Sequence, residues 1–309
     1  MTFELTVLGV SAAQPAFSRH PSAQFLAIHN QRFLIDCGEG TQMQLSAFGL
    51  RRSNLDHIFI THLHGDHYFG LMGLLTSFAL NGRTAPLMVY SPAGLKPIVD
   101  AHAGVMGGTF PYTIHFVEVL TDRETLLLEN EFVTVRAFPL DHRIPTVGYR
   151  FDEQPRPLKI NPDKIAEFGL SIPQIKAVKG GEDLVLESGL HLSNAALTIP
   201  PAPPRSFAYC SDTRYRPALA EVVQGVDLLY HESTFCEDAA DRAAQTMHAT
   251  AAEAARIAAA AGVKQLLLGH FSSRYPETTV FEQEARTIFP NTLAAEEGQT
   301  YTVPLQNLE

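Results

Sequence analysis

Three histidines and an aspartate fall within six consecutive positions of the stretch THLHGDHYFG: His62, His64, Asp66 and His67. Imidazole nitrogen and carboxylate oxygen are ligands that zinc takes in four- or five-fold coordination. His62 and His64 alternate with Leu63, so both rings can face one metal, while Asp66 and His67, at the turn into the following helix, face a second. Further along, His142 could complete the first site and His270 the second, with Asp212 bridging through its two oxygens. That gives two Zn2+ per chain, about 3.5–4 Å apart, with an open position between them for a reacting water. A single zinc with spare histidines leaves Asp66 and His67 without a task, so two metals is the better count.

These residues share a grammar. Short apolar runs repeatedly end in a ligand-type side chain: FLID at Asp36, HIFIT before His62 and His64, VRAFPLDH at His142, FAYCSD at Asp212, LLYHE at His231 and Glu232, QLLLGH at His270. One histidine after a strand is usually structural. Six segments built alike imply a sheet that holds its loops along one edge and converges them on a site.

The elements that must do the positioning are also visible. FELTVLG, AQFLAIHN, QRFLIDCG, HIFIT and APLMVYSP read as strands separated by turn residues. Leu71, Leu74, Leu75 and Phe78 recur at helical spacing, and Asn81-Gly82 ends that helix. TAAEAARIAAAAG is a second helix, with Thr250 and Glu253 forming a capping box and Gly262 a stop. His248, just ahead of that helix, lies where an anion is favoured.

Composition bounds the rest. The chain of 309 residues is long enough for a large core, and 45% hydrophobic with 18% charged residues is ordinary for a soluble protein. No run approaches the roughly 18 apolar residues of a membrane span, and the first nine residues are too short and polar for a signal sequence. Cys37, Cys210 and Cys236 lie in or just after apolar runs and read as buried free thiols, which points to the cytoplasm. The net charge of −10 argues against a nucleic-acid binder, although a local patch or bound cations can reverse the field at one site. Arg143, Arg214, Arg216 and Arg274 lie near the proposed ligands and are candidates for such a patch. His29, His57, His102 and His115 read as structural. Residues 152–205 hold eight of the 20 prolines and are nearly neutral, which reads as an inserted arm or a surface linker.

The segments IDCGEGTQMQ, ITHLHGDHYFGLMGLL, PLDHRIPTVGYRF, YCSDT, LLYHESTF, HATAAEAARIA and LGHFSSRY together resemble the ribonuclease Z family of the metallo-β-lactamase superfamily. H-x-H-x-D-H alone gives only the superfamily; HESTF, HAT and HFSSRY make the likeness narrower. The resemblance implies an α/β, four-layer αββα sandwich over 1–309, with 152–205 as a protruding arm inside it. It implies a zinc endoribonuclease that removes the 3′ trailer from precursor tRNA, leaving a 3′-hydroxyl on the tRNA and a 5′-phosphate on the trailer. It also implies a homodimer in which one subunit's arm helps hold tRNA for the other. By the same resemblance His62, His64 and His142 hold the first zinc and Asp66, His67 and His270 the second, with Asp212 between them. Asp66 is then the proton acceptor, and Glu232 with His248 assists the leaving group. The family's arm often carries a Gly-Pro-rich motif, where this chain reads GLSIPQIKAVKGGEDL. Contacts to tRNA are therefore expected from Lys176, Lys179 and the Gly180-Gly181 backbone, and near the site from Arg274. The competing expectation is a hydrolase of the same fold acting on a small phosphodiester, sulfate ester or thioester.

Overall fold

The computed structural model describes residues 2–306 and divides into two compact units. The larger comprises the chain up to Asp152 and Ser206–Val303. It holds two seven-stranded sheets. The first runs, in spatial order, Thr300–Thr302, Phe3–Gly9, Ala23–Ile28, Gln31–Ile35, Leu55–Phe59, Leu87–Ser91 and Ile114–Glu118. The second runs Thr292–Ala294, Gln265–Gly269, Leu228–Glu232, Ser206–Cys210, Val147–Glu153, Val133–Pro139 and Thr125–Glu129.

Strand periodicity explains the layering. In Gln31–Ile35, Phe33 and Ile35 point into the core shared with the second sheet, and Leu34 points under the helices. Leu5 and Val7 against Leu8, and Phe59 against Ile58, divide the same way. Both faces are therefore apolar, as a covered sheet requires. Between the sheets Phe59 stacks on Tyr90 at 4.4 Å and meets the edge of Tyr149 at 5.1 Å, and the Tyr149 hydroxyl donates to the Ile60 carbonyl at 2.6 Å. This aromatic bolt lies directly before the His62 loop.

Helices cover the outer faces. Leu71–Leu80 buries Leu71, Leu74, Leu75 and Phe78 and ends at Asn81, as the spacing predicts. Ala251–Ala261 starts at the Thr250–Glu253 capping box and stops at Gly262, whose φ of +61° is the left-handed conformation that favours glycine. Its alanines let it lie close against Leu228–Glu232 and Gln265–Gly269. The three cysteines are free and buried, and burial pushes the thiols of Cys37 and Cys236 up to about 12, so they are protonated and unreactive.

The smaller unit is Glu153–Arg205 with the chain from Pro304. A passive linker is not what these residues form. Asn161 caps the helix Pro162–Phe168, and a Ser171–Gln174 capping box starts Ile172–Lys179. Prolines occupy the first turns, where a missing N–H costs nothing. Leu170, Val178, Leu184 and Leu197 make a small core. Glu153 and Arg205 close the unit at its ends: the Arg205 Nε and Nη2 donate to the carboxylate at 3.0 and 2.9 Å, and both residues are buried. Among the described residues no helix is long and apolar enough to cross a membrane.

Candidate metal centre

Gln31–Ile35 is parallel to Leu55–Phe59, and Ser206–Cys210, Leu228–Glu232 and Gln265–Gly269 are parallel to one another, so in each sheet the carboxyl ends of these strands share an edge. Asp36, the His62 loop, Asp212, Glu232 and His270 follow or end those strands. Ligand sites in open α/β sheets lie at such edges. Asp36 and His270 both take positive φ, +57° and +60°, which turns each chain sharply off its strand.

Two groups of donor atoms result. In the first, His62 Nε2 lies 3.0 Å from His64 Nδ1, which lies 3.3 Å from His142 Nε2. Asp212 Oδ2 stands 3.5 Å from His62 Nε2 and 3.7 Å from His142 Nε2. In the second, His67 Nε2 is 3.3 Å from His270 Nε2, and Asp66 Oδ2 is 3.5 and 3.4 Å from them. Asp212 Oδ1 faces this group, 3.3 Å from His67 Nε2 and 3.2 Å from His270 Nε2. One carboxylate thus gives an oxygen to each.

The donor set fits metal ions. Tetrahedral zinc with Zn–N near 2.0–2.1 Å places its ligand atoms about 3.3 Å apart, which is the spacing seen. The tautomers agree. His67 Nδ1 donates to Asp36 at 2.7 Å and His142 Nδ1 donates to the Met247 carbonyl at 2.9 Å, so each ring turns its Nε2 into its group as the atom a metal would take. Burial lowers the pKa of His62, His64 and His142, keeping them neutral and able to ligate. Burial would lower His67 too, but Asp212, Asp36 and Asp66 outweigh it and hold it well above its ordinary value. Among the described residues no lysine or arginine pairs with those three carboxylates, and such a field calls for cations. A dinuclear metal-binding site is present.

Beside it stands a second device. His248 Nδ1 donates to Glu232 Oε1 at 2.9 Å, and Thr234 Oγ1 donates to Glu232 Oε2 at 2.7 Å. The backbone N–H groups of Thr213 and Ala249, each at 3.1 Å, and of Thr234 at 2.9 Å complete the acceptor shell of a fully buried carboxylate. Burial pulls the His248 pKa down, but Glu232 wins and raises it to about 9, so the ring is protonated at neutral pH. With Nδ1 engaged, Nε2 is left for the cavity that His248 lines, although His248 also lies close enough to Asp212 and His270 to form a third group of donors.

All of the predicted ligands therefore converge, and Glu232 and His248 adjoin them. His231 does not: successive residues of a strand point to opposite faces, and its Nδ1 donates to the Glu232 carbonyl at 2.7 Å. The cavity over the site has a volume of about 610 Å³ and is lined by Arg143 and Arg274. Arg214 instead pairs with Asp141 at 3.1 Å, and Arg216 donates to the Pro139 carbonyl at 3.1 Å. Lys176 and Lys179 lie in the last turn of Ile172–Lys179 in the smaller unit, followed by Gly180 and Gly181. Three contributors have roles that the sequence alone does not show. Asp36 accepts from His67 and from Thr61 N at 2.8 Å; Thr234 joins Glu232 to His270 by accepting from His270 Nδ1 at 2.9 Å; Arg242 lines the cavity from the helix Ala240–Thr246. Asp36 and Thr234 sit inside recognisable segments, whereas Arg242 has no signal of its own.

Two sheets between helical layers, with a His/Asp dinuclear centre where strand ends meet, define a metallo-β-lactamase-fold protein. The family model "Beta-lactamase superfamily domain" matches residues 159–271, and "Anti-Pycsar protein Apyc1" matches residues 3–101. A ribonuclease Z of Bacteroides fragilis strain YCH46 is 45% identical over 296 residues, covering 96% of this chain and 97% of the relative. Another, of Bacteroides thetaiotaomicron, is 44% identical and covers 97% and 95%. The crystal structure of the short form of human tRNase Z matches with a TM-score of 0.71 at 27% identity, covering 98% of this chain and 100% of that one. The chain belongs to the ribonuclease Z family.

Proposed function

We propose that this protein is a zinc-dependent endoribonuclease that removes the 3′ trailer from precursor tRNA. The observation that carries the reading is the division of the Asp212 carboxylate between two donor groups beside the Glu232–His248 pair, in a chain similar end to end to ribonuclease Z. His62, His64, His142 and Asp212 would hold one Zn2+, and Asp66, His67, His270 and Asp212 the other. Bound there, the two ions supply an activated water and positive charge for the phosphoryl oxygens.

The chain's own groups do the remainder. Asp66 Oδ2 is fixed by the Ala13 N–H at 2.7 Å, which leaves Oδ1 to orient the attacking water and accept its proton. His248 Nε2 delivers a proton to the departing 3′-oxygen, with Glu232 fixing the ring and favouring its charged form. Arg143, Arg242 and Arg274 place positive charge on the cavity wall, which Glu39, Asp66 and Asp212 also line, and the guanidinium groups suit flanking phosphates. Lys176, Lys179 and the Gly180-Gly181 backbone supply distant grip, the unit 153–205 serves as the tRNA-binding arm, and a homodimer in the cytoplasm is the working form, as the family resemblance implies.

Purified protein supplied with zinc should cut a 3′-extended precursor tRNA once, giving a tRNA with a 3′-hydroxyl and a trailer with a 5′-phosphate when the ends are mapped. Precursor left intact by a preparation that turns over small phosphodiesters, sulfate esters or thioesters would replace this reading with a small-substrate hydrolase.

A further inference from the structure

Phe69 is 63% exposed although it lies one residue beyond the helix Gly65–Tyr68, which carries Asp66 and His67. Its ring is held in place. A Cβ on Gly65 would meet Phe69 Cε2 and Cζ at 2.3 and 2.4 Å, so the ring lies flat over the glycine, with Tyr68 against it edge-on at 5.1 Å. Any side chain at position 65 would displace it. The other phenylalanine of similar exposure, Phe17, carries the Arg19 guanidinium 5.2 Å from its ring centre. Among the described residues nothing comparable covers Phe69, yet it lines the same cavity as His64, Asp66 and His248. Arg143, Arg242 and Arg274 line that cavity too, all exposed and none in an ion pair among the described residues.

An immobilised aromatic face beside a phosphate-processing centre, in a cavity furnished with free guanidinium groups, matches what single-stranded nucleic acid presents: flat bases joined by phosphates. Packing alone does not account for the ring, since exposing it forfeits the burial an aromatic residue ordinarily supplies. We propose that Phe69 is a stacking platform for the unpaired nucleobase adjoining the scissile phosphate, with the three arginines holding the phosphates that follow. This deepens the ribonuclease reading and rests on it. Stacking is indifferent to base identity, so the platform sets the register of the strand over the metal centre while tolerating any trailer sequence.

The test compares wild type with Phe69→Leu, which keeps an apolar side chain and removes the ring face, and with Phe69→Trp, which restores one. Substrates are a precursor tRNA and two versions abasic at the nucleotide on one or the other side of the cleavage site. Phe69→Leu should lower kcat/KM on the intact precursor by roughly 5- to 150-fold, with zinc content and melting temperature unchanged, and Phe69→Trp should recover most of it. One of the abasic precursors should cost wild type a similar factor and cost Phe69→Leu little more, because the same contact has already been lost. If abasic sites slow both enzymes equally, or if Phe69→Leu matches wild type, the platform is refuted while the ribonuclease assignment stands. Wild type inert on the intact precursor overturns both.

Discussion

Replacing Asp36 by asparagine isolates the carboxylate that orients a proposed ligand without touching any metal-binding atom. Asp36 Oδ2 accepts from His67 Nδ1 at 2.7 Å, Oδ1 accepts from Thr61 N at 2.8 Å, and Thr61 Oγ1 lies 3.0 Å from both oxygens. Asparagine adopts positive φ about as readily as aspartate, so the +57° backbone is no obstacle to Asp36→Asn. The amide, however, has one acceptor atom where the backbone N–H of Thr61 and the ring N–H of His67 must both be met, with the Tyr209 hydroxyl a further donor to Oδ2 at 3.3 Å. With its oxygen on Thr61 N, its NH2 confronts the His67 N–H; flipped, it confronts Thr61. One buried donor is stranded, at a cost of about 1–3 kcal/mol. His67 can escape by moving its proton to Nε2, which removes the lone pair aimed at the metal. Loss of such an orienting partner typically weakens metal binding 10–100-fold. Competition titration of the apoprotein against a chromophoric zinc chelator should therefore show one of the two sites weakened by that factor. The site built on His62, His64 and His142 should change less, although Asp212 and Thr61 link the two. Two sites of unaltered affinity, or a larger loss at the His62 site, would refute the tautomer argument.

Asp66→Ala removes a ligand and the proton acceptor together and should lower precursor cleavage by 10²–10⁴-fold or more, measured at saturating zinc. His248→Ala should keep both metals by elemental analysis and slow RNA cleavage, with a smaller loss on a nitrophenyl phosphodiester whose leaving group needs no proton; equal losses on both would remove His248 as the leaving-group acid. Burial alone would raise the Glu153 carboxyl, but its bonds to Arg205 and Arg156 hold it down at about 2 against an ordinary 4.5. Its folded pKa is the lower one, so its contribution is complete above about pH 4.5 and is lost as pH falls through about 2, an upper limit of roughly 3 kcal/mol. Amide exchange across residues 153–205 should show that unit loosening over this window, and Glu153→Gln should loosen it at neutral pH. Replacing residues 153–205 by a short Gly/Ser linker should spare zinc content and nitrophenyl ester turnover and sharply reduce cleavage of precursor tRNA, mainly through affinity and positioning.

How far the sequence disclosed this arrangement depended on the range of the interaction. His62, His64, Asp66 and His67 are neighbours, and the later donors each terminate an apolar run, so local pattern exposed them. His231 satisfied the same pattern and fails because strand alternation sends it away from the face that Glu232 occupies. Asp36 also fitted the pattern, but its purpose is a hydrogen bond to a residue 31 positions on, which only the fold makes adjacent. Arg242 is an unremarked charge on a helix until the cavity wall is seen. In 152–205 the prolines leave an inserted arm and a surface linker both open, because the stabilising set, Leu170, Val178, Leu184 and Leu197, has no regular spacing. Helix starts and stops were legible where capping chemistry is local, as at Thr250 and Gly262.

The division of Asp212 between the two donor groups bears on when the protein becomes able to act. Each group takes an oxygen from it, and the second also waits for His270, so the donors span positions 62 to 270 of the chain. A polypeptide emerging from the ribosome presents the dense histidine cluster early, yet that fragment lacks the partners that would close a site around an ion. Metal capture is thereby tied to the last third of synthesis and to the docking of one sheet on the other. A chain that stops before Asp212 and His270 lacks those donors, so the full ligand set exists only once most of the sequence has been made.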